Sequence, residues 1–237
     1  MFEHIRFDSK PISTFFVMGE RCSGTNYLNW IVNRNVQVTP LGIEYWKHGF
    51  PVFDAIPRRM VIIVSYRNAI SWLLSLYANP WHTSPEMQTL NFSQFIRHPW
   101  ETVIDSRYLR KKYVNTPLIG TPLQHDRDPI TGKPFKNVLE MRAAKIRSLE
   151  GLRNRSCNII YSRQEDVSKY PVEFIEKFCE IFEIERKSDE ILTPQRRLGG
   201  WPESIRRTAP DRISDEDLEF IKGELDLDLE TSIGYRY

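Results

Sequence analysis

The chain has 237 residues, 41% hydrophobic and 27% charged, with a net charge of +2. That length suits one α/β domain, at most with an elaborated lid, and that balance belongs to a globular protein rather than a disordered one. A charge so near zero excludes nucleic-acid binding by bulk electrostatics but allows positive charge to be concentrated at one anion pocket.

In chain order, Thr14-Phe15-Phe16-Val17-Met18 is a short continuous apolar run ending at Gly19, the pattern of a strand buried on both faces. Asn26 to Asn35 reads as a helix with Tyr27, Leu28, Ile31 and Val32 on one face. Met60 to Val64 is a second buried strand, and Ile70, Leu73, Leu74 and Tyr77 mark the helix after it. Residues 78–136 are rich in Pro, His, Asn and aromatics with weak periodicity; Leu118 to Lys136 in particular has loop chemistry. This stretch reads as a lid or acceptor-binding insertion within a single 1–237 domain. Val138, Leu139, Ala143, Ile146 and Leu149 mark a further helix, and Asn158 to Tyr161 a third strand. Pro171, with Val172, Ile175, Phe178 and Phe182 behind it, starts another helix. Ser214 and Asp217 form a capping-box-like start for a last one through Leu218, Ile221 and Leu225. Strands alternating with helices predict a three-layer α/β/α fold around a central parallel sheet, with ligands beyond the carboxyl ends of the strands.

Cys22, Cys157 and Cys179 are widely spaced with no CxxC pair, so neither a zinc site nor a disulfide framework is expected, and thiols suit a reducing compartment. Residues 1–8 have no signal-peptide pattern and no apolar run reaches the length of a membrane span, so a soluble cytoplasmic protein is expected.

The segment Gly19-Glu20-Arg21-Cys22-Ser23-Gly24-Thr25-Asn26 follows a buried strand and opens a helix. Its glycines let the backbone wrap with N–H groups inward, and the helix N-terminus adds partial positive charge, which makes a cradle for a phosphate-like anion. Nucleotide-hydrolysing P-loops end in Gly-Lys-Ser/Thr. Here Thr25 takes the place of the lysine and Asn26 that of the magnesium-binding hydroxyl, which disfavours an NTPase or kinase. A second candidate anion site is Arg67, whose planar fork matches phosphate oxygens, with Ser71 and Ser75 on one face of the following helix.

These segments resemble the P-loop sulfotransferases. Arg21-x-Ser23-Gly24-Thr25 looks like the family's 5′-phosphosulfate loop, with Cys22 where Lys or Arg is usual; Arg21 or Lys47 would then supply the cation. Val64-Ser65-Tyr66-Arg67-Asn68, with Ser75 eight residues after the arginine, is similar to the unit that holds the cofactor's 3′-phosphate, Ala69 replacing the usual proline. Glu44-Tyr45-Trp46-Lys47-His48-Gly49 falls where the family places a strand end bearing its base, which nominates His48, helped by Lys47, with Glu44 as the carboxylate alternative. Asn158 to Val167 resembles a late structural strand and turn, and Gly234-Tyr235 the family's tail. The Gln195–Arg207 stretch, with Arg196, Arg197, Gly199, Gly200, Trp201, Arg206 and Arg207, is either a basic loop over the 3′-phosphate or a solvated loop.

The resemblance implies a sulfotransferase that uses 3′-phosphoadenosine 5′-phosphosulfate and needs no metal. Its loop residues Arg21, Cys22, Ser23, Gly24, Thr25 and Asn26 would bind the 5′ end, and Arg67 and Ser75 the 3′-phosphate. The acceptor would be a small molecule or carbohydrate bearing a hydroxyl or amine. A P-loop kinase or hydrolase and a non-catalytic nucleotide- or partner-binding module stay open as alternatives.

Overall fold

A computed structural model describes residues 2–41, 45–105, 113–195, 198–199 and 206–237. Among these, five strands form one mixed sheet: β1 (Phe2–Ile5), β2 (Thr14–Gly19), β3 (Thr39–Pro40), β4 (Met60–Tyr66) and β5 (Asn158–Arg163), in the order β1-β5-β4-β2-β3. The helices are α1 (Thr25–Asn35), α2 (Ala69–Ala78), α3 (Phe92–Arg97), α4 (Val138–Glu150), α5 (Gln164–Lys169), α6 (Pro171–Phe182), α7 (Asp215–Glu224) and α8 (Leu227–Ser232). The fold is α/β.

The expected central parallel sheet is present, with one antiparallel strand added at its edge. Strands β3, β2, β4 and β5 run parallel, whereas β1 pairs antiparallel with β5. Neighbours joined by helical crossovers are forced to be parallel; β1 precedes the first crossover and is free to run the other way.

Two compact units make up the chain: Met1–Asn68 with Ser148–Gly199, and Ala69–Arg147 with Gly200–Tyr237. The first holds the sheet. Every residue of β4 is buried, as are five of six in β2, which accounts for their unbroken apolar sequence. Phe15, Val17, Val61, Ile63 and Ile160 on one sheet face pack with Leu28, Ile31 and Val32 of α1 and Phe174, Phe178 and Phe182 of α6. Asn158, fully buried, accepts from the Phe7 amide and donates to the Arg58 carbonyl, tying the β1 end to the entry of β4.

The three long parallel strands finish level. Gly19 lies beside Ser65, and Ser65 beside Ser162. The chain leaves β2 through α1 to β3 on one side and returns to β4 on the other, so the order reverses at β2. Ligand crevices of open α/β sheets form at such a reversal.

The second unit contains more regular structure than residues 78–136 lead one to expect. Asn91 and Gln94 form a complete capping box at α3, and isolated bridges join Thr83 to Thr102 and Val103 to Pro122. The six-residue helix is too short to register as a periodicity, although its Asn-x-x-Gln cap is readable. In α7 the Ser214 hydroxyl accepts the Asp217 amide, the cap expected there; the helix runs Asp215–Glu224, and Leu225 lies just past its end. Two ion pairs are buried in this unit, Arg142 with Glu230 and Lys145 with Asp126. No helix among the described residues is long and apolar enough to cross a membrane.

Candidate anion site at the end of the first parallel strand

The loop Glu20–Gly24 carries the chain from β2 into α1. Gly19 is required by space: a Cβ there would stand 2.5 Å from the Ser65 carbonyl oxygen and 2.7 Å from Ser23 Oγ. Gly24 is required by conformation, with φ 93°, and by contact, since a Cβ would strike the Gln164 side chain. Cys22 adopts the left-handed region at φ 66° without being glycine. Left-handed Cys22 and Gly24 thus alternate with Arg21 and Ser23, an alternation that bends the backbone into a concavity; within it the Ser23 amide donates to the Glu20 carbonyl at 3.2 Å.

The N-terminus of α1 opens onto this loop. Its N-cap is Gly24, which has no side chain to offer the first-turn amides, and the first turn holds no acidic residue. Those amides have no partner within the helix, and eleven residues of helix dipole place partial positive charge on them. Ser23 and Thr25 are buried and Asn26 is exposed. Arg21 is only 5% exposed and Glu20 only 3%.

Lys47 and His48 occupy a turn, not the expected strand end; β3 stops at Pro40. The turn nevertheless abuts the edge of β2. The Gly19 amide donates to the Lys47 carbonyl at 3.0 Å, and the His48 ring meets the Gly19 carbonyl through Nδ1 at 2.8 Å. A carbonyl can only accept, so Nδ1 carries the proton and a neutral ring keeps its lone pair on Nε2. Lys47 Nζ donates to Asn26 Oδ1 at 2.5 Å, which brings an ammonium to the first turn of α1. Removal from water pushes the Lys47 pKa down to about 8.

The end of β4 grips the loop. Arg67 Nη1 donates to the Cys22 carbonyl at 3.0 Å, and the buried Ser65 hydroxyl donates to the Ser23 carbonyl at 2.5 Å. Ser65 escapes a reading based on charged residues; its one signal is a hydroxyl at the end of an aliphatic run. The turn after β5 supports both segments: Gln164 packs under Gly24, and Glu165 Oε1 accepts the Asn68 amide at 2.9 Å. This gives the late Tyr-Ser-Arg-Gln-Glu-Asp segment a concrete structural task.

Ser71 and Ser75 lie one turn apart on α2, in the second unit. Of the basic stretch, Gly199 lies against Asn26, so close that a Cβ would collide with its amide. Arg207 stacks on Tyr77, 3.9 Å from guanidinium carbon to ring centre, and donates to the Tyr77 hydroxyl, which assigns it to packing in the second unit. Arg206 is exposed. Glu44, Arg196, Arg197, Gly200 and Trp201 lie outside the described residues. Among the histidines of residues 78–136, His82 donates to Asp105, His98 donates to the Pro99 carbonyl and His125 is exposed.

The site therefore assembles, in one unit, the Cys22–Asn26 backbone, Lys47, His48 and Arg67. No protein-family model matches the chain, and no curated protein matches it.

Proposed function

We propose that the chain is a P-loop sulfotransferase that moves a sulfuryl group from 3′-phosphoadenosine 5′-phosphosulfate to a hydroxyl or amine acceptor. The observation that carries this reading is the conjunction of the Cys22–Asn26 loop at the α1 N-terminus with Lys47 at Asn26 and His48 tied to Gly19. The donor set fits an anionic 5′ end: the first-turn amides of α1 and the Lys47 ammonium beside Asn26. Arg67 is the candidate in the first unit for the 3′-phosphate. The lysine and hydroxyl with which NTPases hold a phosphate and magnesium are replaced by Thr25 and Asn26.

The bound donor supplies an activated S–O bond. The acceptor oxygen or nitrogen forms its bond to sulfur as the bond from sulfur to the 5′-phosphate oxygen breaks, and that oxygen leaves with the electron pair. His48 Nε2 takes the acceptor proton, its ring held by the Nδ1 contact to Gly19. Lys47 and the amides of the first turn stabilise charge growing on the leaving phosphate. The left-handed backbone at Cys22 fits this role, because strained conformations gather where a surrounding structure holds them for function.

Thermal unfolding with the spent cofactor, 3′-phosphoadenosine 5′-phosphate, tests the reading first. A raised melting temperature at saturating ligand is expected. No shift, beside a clear shift with ATP and magnesium, would sink it. Single-turnover transfer to an acceptor found by screening then tests the base. His48→Ala should bind spent cofactor nearly as tightly as the native chain yet lose about two to four powers of ten in transfer. Glu44→Gln is the control: loss there, with His48→Ala intact, moves the base to the carboxylate.

A further inference from the structure

We propose that Ser65 and Arg67 are positioning residues of the loop: Ser65 directs the Gly24 amide, and Arg67 holds the Cys22–Ser23 peptide in its turn against the Glu20 carbonyl, so that Arg67 serves the 5′ anion through the loop's shape and not only a 3′-phosphate. This rests on the reading of the Cys22–Asn26 loop as an anion cradle. Two consecutive loop carbonyls are held by the end of β4: that of Cys22 by Arg67 Nη1 at 3.0 Å, and that of Ser23 by Ser65 Oγ at 2.5 Å. A trans peptide is planar, with its carbonyl and N–H pointing opposite ways. Fixing a carbonyl therefore fixes the amide that shares its plane. The Ser23 amide, opposite the Cys22 carbonyl, turns back to the Glu20 carbonyl at 3.2 Å. The Gly24 amide, opposite the Ser23 carbonyl, is directed away from Ser65.

Two further observations agree. A left-handed non-glycine residue such as Cys22 at φ 66° persists only where neighbours over-determine it, and its carbonyl is one of the two that are held. The approach of β4 is also close: the Ser65 carbonyl comes so near Gly19 that no side chain fits between them. Ser65 itself is 1% exposed and lies behind the loop backbone, so its hydroxyl acts on the loop rather than on a ligand. A cradle whose amides already point the right way loses less freedom when the anion arrives.

The experiment measures affinity for 3′-phosphoadenosine 5′-phosphate and for adenosine 5′-diphosphate, without magnesium, in the native chain, Ser65→Ala, Arg67→Ala and Arg67→Lys. Ser65→Ala should weaken both ligands about tenfold, the worth of one hydrogen bond, and leave their ratio unchanged. Arg67→Ala should weaken the diphosphate as well, and Arg67→Lys, which keeps one donor for the Cys22 carbonyl, should recover part of that loss. The Gly24 amide resonance of the ligand-free protein should move in Ser65→Ala; general destabilisation would not single it out. Unchanged affinities in Ser65→Ala, or an Arg67→Ala loss confined to the ligand with a 3′-phosphate, overturns the proposal. If Ser65→Ala does not fold, the Arg67 pair alone decides. If the native chain binds neither ligand, the sulfotransferase reading has failed, and the Gly24 resonance still tells whether β4 orients the loop.

Discussion

Lys47 illustrates how one residue can couple anion binding to pH. Its ammonium is half-buried beside Asn26, and that loss of water brings its pKa down to about 8. Below that pH the ligand-free protein holds a charge it has poorly solvated; an anion in the cradle would solvate it and raise the pKa again. Affinity for 3′-phosphoadenosine 5′-phosphate should be flat between about pH 7, where the ligand's phosphates are fully ionised, and about pH 8, and fall as pH rises above it, with proton uptake on binding in that upper range. Titration calorimetry in buffers of different ionisation enthalpy reads both effects, and Lys47→Met should abolish the slope. A slope that survives in Lys47→Met shows that another group titrates. The sign for stability runs the other way: between about pH 8 and 10.5 the unfolded chain binds more protons than the folded one, so Lys47's contribution to stability rises with pH. The sequence named Lys47 and His48 but misplaced them. A strand was expected from the resemblance, whereas the turn is held by the edge of β2 through bonds that no local pattern encodes.

The two helices that leave the ends of β2 and β4 are treated in opposite ways. The first turn of α1 is left uncapped, as an anion site needs. At the start of α2 the Asn68 amide is taken by Glu165, and the Ala69 amide by the Tyr237 hydroxyl at 2.7 Å. Proline, common at a first helical turn, has no N–H to satisfy; alanine brings one into a buried position, and Tyr237 accepts it while donating to Glu230 at 3.0 Å. Tyr237→Phe should cost about 1–3 kcal/mol by stranding that amide. In an Ala69→Pro background the amide is gone, and the same change should cost about 1 kcal/mol less, measured by a urea-denaturation cycle. Strict additivity would show that the hydroxyl does not cap α2. The Gly234-Tyr235 tail stood out only by its resemblance to a family's tail; the cap two residues beyond it was not legible, because it joins positions 168 residues apart.

At the scale of the whole chain, what could be read in advance follows from where each segment's partners lie. β2, β4 and β5 announce themselves because both their faces are apolar, and α1, α2, α4 and α6 because a single face is. α8 was missed: Leu227–Ser232 is short and acidic, and its anchor is Glu230, paired through both oxygens with Arg142 at 2.7 and 2.9 Å. Both partners are almost fully buried, and Arg142 also lies 4.9 Å from the Trp72 ring. A sequence shows two charges in polar surroundings and gives no sign that they meet inside. Glu230→Gln would leave the guanidinium buried without its countercharge, and a loss of about 3–5 kcal/mol in denaturation experiments is expected. A loss below about 1 kcal/mol would mean that the pair is solvated. The division into two units predicts nothing about the size of that loss, but it sets its location, since every partner of Glu230 named here belongs to the second unit.

The antiparallel edge strand has a consequence in time. β1 and β5 pair Phe2 with Ser162 and Ile5 with Ile159, so the ribosome makes one partner about 150 residues before the other. At roughly 5–20 residues per second, that is an interval on the order of ten seconds. During it β2, β3 and β4 can already meet, since all three have been synthesised, while Phe2–Ile5 has no edge to join. Of these five strands, the first to be translated is among the last to be docked, and its closure reports that β5 has arrived.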